Sequence, residues 1–116
     1  MAELTAIELE HGRVSVEVNG EFDLADEQRA QGLVDAALES SNGLLIDLSD
    51  CTFIDSIGLR LLLRTYRRAE GKSLPFAIAG SGPEVHKVLD ITGLRETLPI
   101  YRERLEALRA IEPEVT

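Results

Sequence analysis

Apolar and polar positions along this chain alternate in some segments and follow a helical period in others. Residues Ile7–Val18 alternate on both sides of His11-Gly12. Ile7 and Leu9, then Val14, Val16 and Val18 on the return, are expected on one buried face, which predicts a hairpin. Ala30, Leu33, Val34, Ala37 and Leu38 recur at helical spacing and predict a helix over 26–40, with Asp26 and Glu27 at its positive end and Asn42-Gly43 as a stop. The short apolar run Leu44–Leu48 reads as a central parallel strand. Leu59, Leu62, Leu63 and Tyr66 predict a second helix over 57–70 closed by Gly71, and Phe76–Ala79 predicts another buried strand. Pro83 opens a third helix, with Val85, Val88 and Leu89 inward and Gly93 as its stop. Thr97–Tyr101 is expected as a short strand, at an edge because Pro99 cannot donate to a ladder. A last helix over about 101–111 is expected to bury Leu105 and Leu108, and the tail 112–116 to fray. The order ββαβαβαβα implies an α/β fold, with a mixed sheet of about five strands and about four helices.

With 116 residues, the chain has the length of one domain with one sizeable core. Its 12 Lys+Arg against 21 Asp+Glu give a net charge of −9, which disfavours nucleic acid and anionic membrane surfaces as partners. The imbalance is local. Residues 1–50 hold 2 basic and 12 acidic residues, and residues 51–116 hold 10 basic and 9 acidic. That asymmetry either orients a partner or serves solubility. One cysteine excludes an internal disulfide and any multi-cysteine metal site. No apolar stretch is long enough to span a bilayer and no signal peptide is visible, so membrane insertion is not expected and the expected compartment is the cytoplasm.

The stretch Asp47–Arg60 carries the most chemical information. A buried strand ends near Leu48, and a connection of about seven residues leads to Asp55-Ser56, where the second helix begins. Ser56 is expected as the N-cap or first helical residue, at the end of the sheet where α/β proteins place their sites. Helix N-termini expose unpaired N–H groups and partial positive charge, which suits an added phosphate. Gly58 is expected to leave the first turn open to another protein. A plain helix cap at Asp55 and Ser56 accounts for the same residues.

Three blocks extend this reading. They are Asn19-Gly-Glu-Phe-Asp23, Leu45–Leu59 with its Asp-Ser-Ile-Gly-Leu ending, and Phe76–Val85 continued by Ile91-Thr-Gly-Leu94. In these blocks, from about residue 4 to 105, the sequence resembles the STAS-domain family of bacterial anti-sigma factor antagonists. The resemblance implies a single STAS-type domain over 1–116, with its core at about 4–111. It implies a switch and not an enzyme: the unphosphorylated form binds a cognate anti-sigma factor that is also a serine kinase, and so releases the sigma factor. Phosphorylation abolishes binding and a PP2C-type phosphatase restores it. Carried over, the phosphoacceptor is Ser56, Asp23 is the acid beside it, and Asp55 and Gly58 fill the flanking motif positions. Ile57 departs from the Ser or Thr common after the phosphoserine. It removes a competing hydroxyl and places an apolar side chain at the site. The same surface would serve a STAS subunit of a stress-signalling scaffold or of a lipid-transport ATPase complex.

Other residues carry weaker signals. Arg60, Arg64, Arg67 and Arg68 share a helix face, either as a solvated stripe or as a docking surface for an acidic partner. A small serine hydrolase would need Ser56 with His11 or His86 as base, and neither histidine sits in a motif. Asp47, Asp50 and Asp55 have no calcium-loop spacing, so no metal or cofactor is expected. Cys51 reads as an inert loop residue. Gly80-Ser-Gly82 reads as a turn and cap, with an anion cradle as the alternative.

Overall fold

In a computed structural model that describes residues 1–80 and 82–113, a six-stranded mixed sheet is flanked by five α-helices. The elements are β1 (Glu3–Glu8), β2 (Val14–Phe22), α1 (Glu27–Ser40), β3 (Leu44–Asp47), β4 (Cys51–Ile54), α2 (Ser56–Gly71), β5 (Phe76–Ala79), α3 (Pro83–Thr92), α4 (Leu94–Thr97), β6 (Ile100–Tyr101) and α5 (Arg104–Ala110). Short 3₁₀ turns cover Glu10–Gly12 and Leu24–Asp26. The sheet order is β1-β2-β3-β5-β6. β1 is antiparallel to β2, and the remaining pairs are parallel.

β2 is long enough to serve two partners. Its first residues, Val14–Glu17, pair with β3, and its last, Gly20–Phe22, pair in parallel with β4 beyond the end of β3. The second pairing contains a register shift at Gly20/Glu21, where Gly20 adopts φ +97° and its N–H donates to Asp50 O (3.0 Å). β4 replaces the expected loop: four residues with two exposed side chains, Thr52 and Phe53, give no apolar run to read.

Strand alternation splits the core. Val16, Val18, Phe22, Leu44, Ile46 and Ile78 face α1 and α2, whose Ala30, Val34, Leu38, Leu59 and Leu62 complete the main cluster. Leu45, Ala77 and Ala79 face the other way and pack on Ala107 and Ile111 of α5. On that second face Arg104 binds Asp47, Glu17 (3.1 Å) and Ser15 Oγ (3.4 Å).

The structure corrects three further expectations. Ile7 pairs with Ser15, which puts it on the opposite face from Val14, Val16 and Val18. The last helix starts at Arg104, later than expected. Because Arg104 takes the inward position to reach Asp47, Leu105 is turned out and 58% exposed, while Ala107, Leu108 and Ile111 pack inward. Leu94–Thr97 forms a helical turn, so the expected strand at 97–101 shrinks to Ile100–Tyr101 at the sheet edge. The expected α/β fold with a mixed sheet is present, with six strands and five helices among the described residues. Pro83 and Gly93 sit at the N- and C-terminal ends of α3 as expected, Gly93 with φ +74°. Of the expected frayed tail, 114–116 lie outside the described residues.

Gly58 is buried where α2 crosses the sheet. A Cβ there would stand 2.7 Å from Ile54 Cγ1 and 3.2 Å from Phe22 Cδ2. Its missing side chain therefore lets α2 approach β2 and β4, and it does not open the helix to a partner. Gly58→Ala should lose about 1–3 kcal/mol of stability despite its better helix propensity. Chemical denaturation reads this directly, and an unchanged or raised midpoint would contradict it.

Candidate functional site

The parallel register Phe22↔Ile54 ends β2 and β4 side by side, so the next residues, Asp23 and Asp55, emerge together at one end of the sheet. Asp55 is extended (φ −98°, ψ −177°) and caps α2 by accepting a hydrogen bond from Gly58 N–H at Oδ1 (2.9 Å). Its Oδ2 accepts from the N–H of Leu24, in the turn after β2 (3.2 Å). Its own N–H donates to Phe22 O (3.2 Å). One residue thus joins two segments that lie 31 positions apart in the chain.

The turn after β2 has its own internal order. Asp23 Oδ1 accepts from Ala25 N–H (3.0 Å), Asp23 O accepts from Asp26 N–H (3.0 Å), and Asp26 Oδ2 accepts from Asp23 N–H (3.1 Å). Asp26 is fully buried, accepts from Ala2 N–H at both oxygens (2.9 and 3.0 Å), and pairs with Arg29 (2.7 Å). Burial alone would raise its pKa. The Ala2 and Asp23 amides and the Arg29 guanidinium outweigh burial, and the carboxyl titrates below the ordinary aspartate range.

Ser56 is the first residue of α2. It is exposed, and its hydroxyl makes no hydrogen bond among the described residues. Ile57 is half-buried beside it. Arg60 follows Ser56 by four residues, one turn along the same face, and is exposed. The arginine stripe is divided. Arg64 donates to Gln31 (3.0 Å) and Arg68 to Asp35 (2.5 Å), both on α1, so these two serve helix packing. Arg68 and Gln31 hold the Asp35 carboxyl below its ordinary range.

Asp23, Asp55, Ser56, Ile57 and Arg60 therefore share one surface; Gly58 lies beneath it, and Arg64 is turned towards α1. Leu24, 64% exposed between Asp23 and Ala25, also belongs to this surface. Reading the sequence missed it, because an apolar residue in a turn has no period to mark it. A cleft of about 740 Å³ is lined by residues of α3, α4 and the β6–α5 connection and does not include Ser56. The candidate site is a surface and not a pocket.

The other candidates sit elsewhere. His11 lies at the opposite end of β2 from Ser56, about 30 Å away along nine strand residues. His86 lines the α3–α4 cleft. Asp47 is held by Arg104 and by Ser49 N–H (2.9 Å). Cys51 is buried, and burial pushes its thiol pKa up. At Gly82 a Cβ would stand 3.1 Å from Cys51 O, so that glycine lets α3 approach β4; Ser81 lies outside the described residues.

The family model described as STAS domain matches residues 6–107. The chain belongs to the STAS domain family. Among STAS proteins it is 31% identical over 110 residues to the anti-sigma F factor antagonist of Paenibacillus polymyxa, covering 91% of this chain and 94% of that protein. An anti-sigma factor antagonist from Mycobacterium paratuberculosis superposes with a TM-score of 0.86 at 30% identity, covering 96% of this chain and 94% of that one. The anti-sigma factor antagonist SpoIIAA in its unphosphorylated form shares the fold, with a TM-score of 0.81 at 19% identity over 98% of this chain and all of that one. A phosphorylated form of SpoIIAA, from Bacillus, has a TM-score of 0.74 at 18% identity over 95% of this chain and all of that one. No helix among the described residues of this STAS chain is long and apolar enough to cross a membrane.

Two outcomes follow from the site's hydrogen bonds. Asp55→Ala should cost about 1–2 kcal/mol and speed hydrogen exchange at the Leu24 and Gly58 amides beyond the global change; unaltered relative protection at Leu24 would contradict the bridge. Asp26 has a folded pKa below its unfolded value, so its stabilisation is complete above about pH 4 and is lost as pH falls through the lowered pKa. A pH series of unfolding free energies should show that acid loss, and Asp26→Asn should flatten it.

Proposed function

We propose that this chain is an anti-sigma factor antagonist. Its unphosphorylated form binds a cognate anti-sigma factor with serine kinase activity and so releases the sigma factor in the cytoplasm. Phosphorylation of Ser56 ends the binding, and a PP2C-type phosphatase restores it. The observation that carries the reading is the placement of Ser56: an exposed, unbonded hydroxyl at the first position of α2, within a surface that Asp55 makes continuous with the Asp23 turn. The relatives named as anti-sigma factor antagonists support the same reading.

The switch follows from the difference between a free and a covered helix terminus. In the free protein, a phosphate at Ser56 brings about −1.5 to −2 charge to solvent-facing N–H groups at the positive end of α2, which the fold tolerates. In the complex, the same charge would be buried beside Asp23 and Asp55, with Arg60 a full helical turn away. A buried, poorly paired charge costs several kcal/mol, enough to lower occupancy by orders of magnitude. The fold need not change.

Incubation with the source organism's anti-sigma factor kinase and ATP, followed by mass mapping, should place one phosphate on Ser56. Ser56→Ala should bind and stay unmodified, and the phosphorylated chain should bind about 100-fold or more weakly. Modification at another residue, or full modification of Ser56→Ala, would overturn the assignment.

A further inference from the structure

The turn after β2 displays a leucine that its backbone has no freedom to withdraw. Leu24 is 64% exposed, yet its N–H is bonded to Asp55, and the amides of Asp23, Ala25 and Asp26 are each bonded to an oxygen of Asp23 or Asp26. Asp26 is in turn fixed by Ala2 and Arg29. A large apolar side chain on a pre-ordered backbone gains by burial in a partner without the cost of ordering a loop. Of the other exposed large apolar side chains, Ile91 and Leu105 lie on α3 and α5 and not beside Ser56; Met1, whose ammonium faces Asp23, and Phe53 of β4 adjoin the turn but lack its lattice of backbone bonds.

The arginines of α2 supply the second observation. Arg64 and Arg68 are spent on α1, whereas Arg60 and Arg67 are exposed and make no ion pair among the described residues. Arg60 stands one helical turn from Ser56. On a chain with net charge −9, an uncommitted cation at that point is complementary to a carboxylate on whatever covers Ser56.

From these two observations we infer that Leu24 and Arg60 are the contacts that select the partner. Leu24 enters an apolar socket on the anti-sigma factor kinase, and Arg60 meets a carboxylate about one helical turn, 5–6 Å, from the place where that kinase receives Ser56. Arg64 and Arg68 hold α2 to α1 and do not read the partner. The inference rests on the reading of the chain as an anti-sigma factor antagonist and adds to it the chemistry of the partner's surface.

Calorimetric titration with the purified anti-sigma factor kinase of the source organism tests it. Leu24→Ala and Arg60→Glu should each weaken binding about tenfold or more, with Arg60→Glu losing most at low salt, and neither should lower the thermal midpoint. Ile91→Ala, at a more exposed aliphatic elsewhere, and Arg64→Ala should bind within about twofold of the unaltered chain, and Arg64→Ala should lower the midpoint. If Leu24→Ala and Arg60→Glu bind within about twofold while the unaltered chain binds normally, the inference fails and the antagonist reading stands. If Arg64→Ala weakens binding as much as Arg60→Glu, the division of the arginines fails. If the unaltered chain does not bind the kinase, the antagonist reading fails and the inference with it.

Discussion

The two oxygens of the Asp55 carboxylate point at different segments, and the candidate surface depends on that divergence. Oδ1 caps α2 and fixes the direction in which Ser56 leaves the sheet. Oδ2 holds the backbone of the turn that carries Asp23 and Leu24. Remove the carboxylate and the helix loses a cap worth about 1 kcal/mol, a modest loss. The larger consequence is geometric, because only the β2–β4 pairing and the Asp55 N–H to Phe22 O bond would still tie the turn to the helix. A partner that reads both would then have to order them at its own cost.

Much of the remaining structure serves to put Asp55 there. The parallel pairing of β2 with β4 brings Phe22 and Ile54 level, and Gly58 lets α2 settle against both. The buried Asp26, with Arg29 and Ala2, fixes the far side of the turn, while Arg64 and Arg68 hold α2 to α1. The acidic excess of the first half also gains a location. Asp26 is consumed in structure, Asp47 and Glu17 are neutralised by Arg104, and Asp23, 3.6 Å from the Met1 ammonium, stays half-exposed at the same end of the sheet as Ser56.

The long periodic elements were legible in the sequence. The stripes of α1 and α2, the apolar runs of β3 and β5, and the Pro83 and Gly93 boundaries of α3 each follow from a local rule. β4 was not legible, since two of its four side chains are exposed and its pairing is with a distant strand end. That omission had a consequence at the site. Without the Phe22↔Ile54 register, nothing in the residues places Asp23 near Ser56, and only the family resemblance pointed there. The inward Arg104 was equally hidden, because its partners Glu17 and Asp47 are distant in the chain, and with it the outward turn of Leu105. Gly58 was singled out correctly but for the wrong neighbour, since a missing side chain does not say on which side the space is needed.

The proposed function requires the Asp23 turn and the start of α2 to form one contact surface around Ser56. Amide chemical-shift mapping of the isotopically labelled chain during titration with the proposed partner, an anti-sigma factor kinase, distinguishes this surface from others. Perturbations should concentrate at residues 22–25 and 55–60 with the unphosphorylated chain and be absent once Ser56 carries phosphate. Perturbations centred on the α3–α4 cleft or on α5, or an unchanged pattern after phosphorylation, would contradict it.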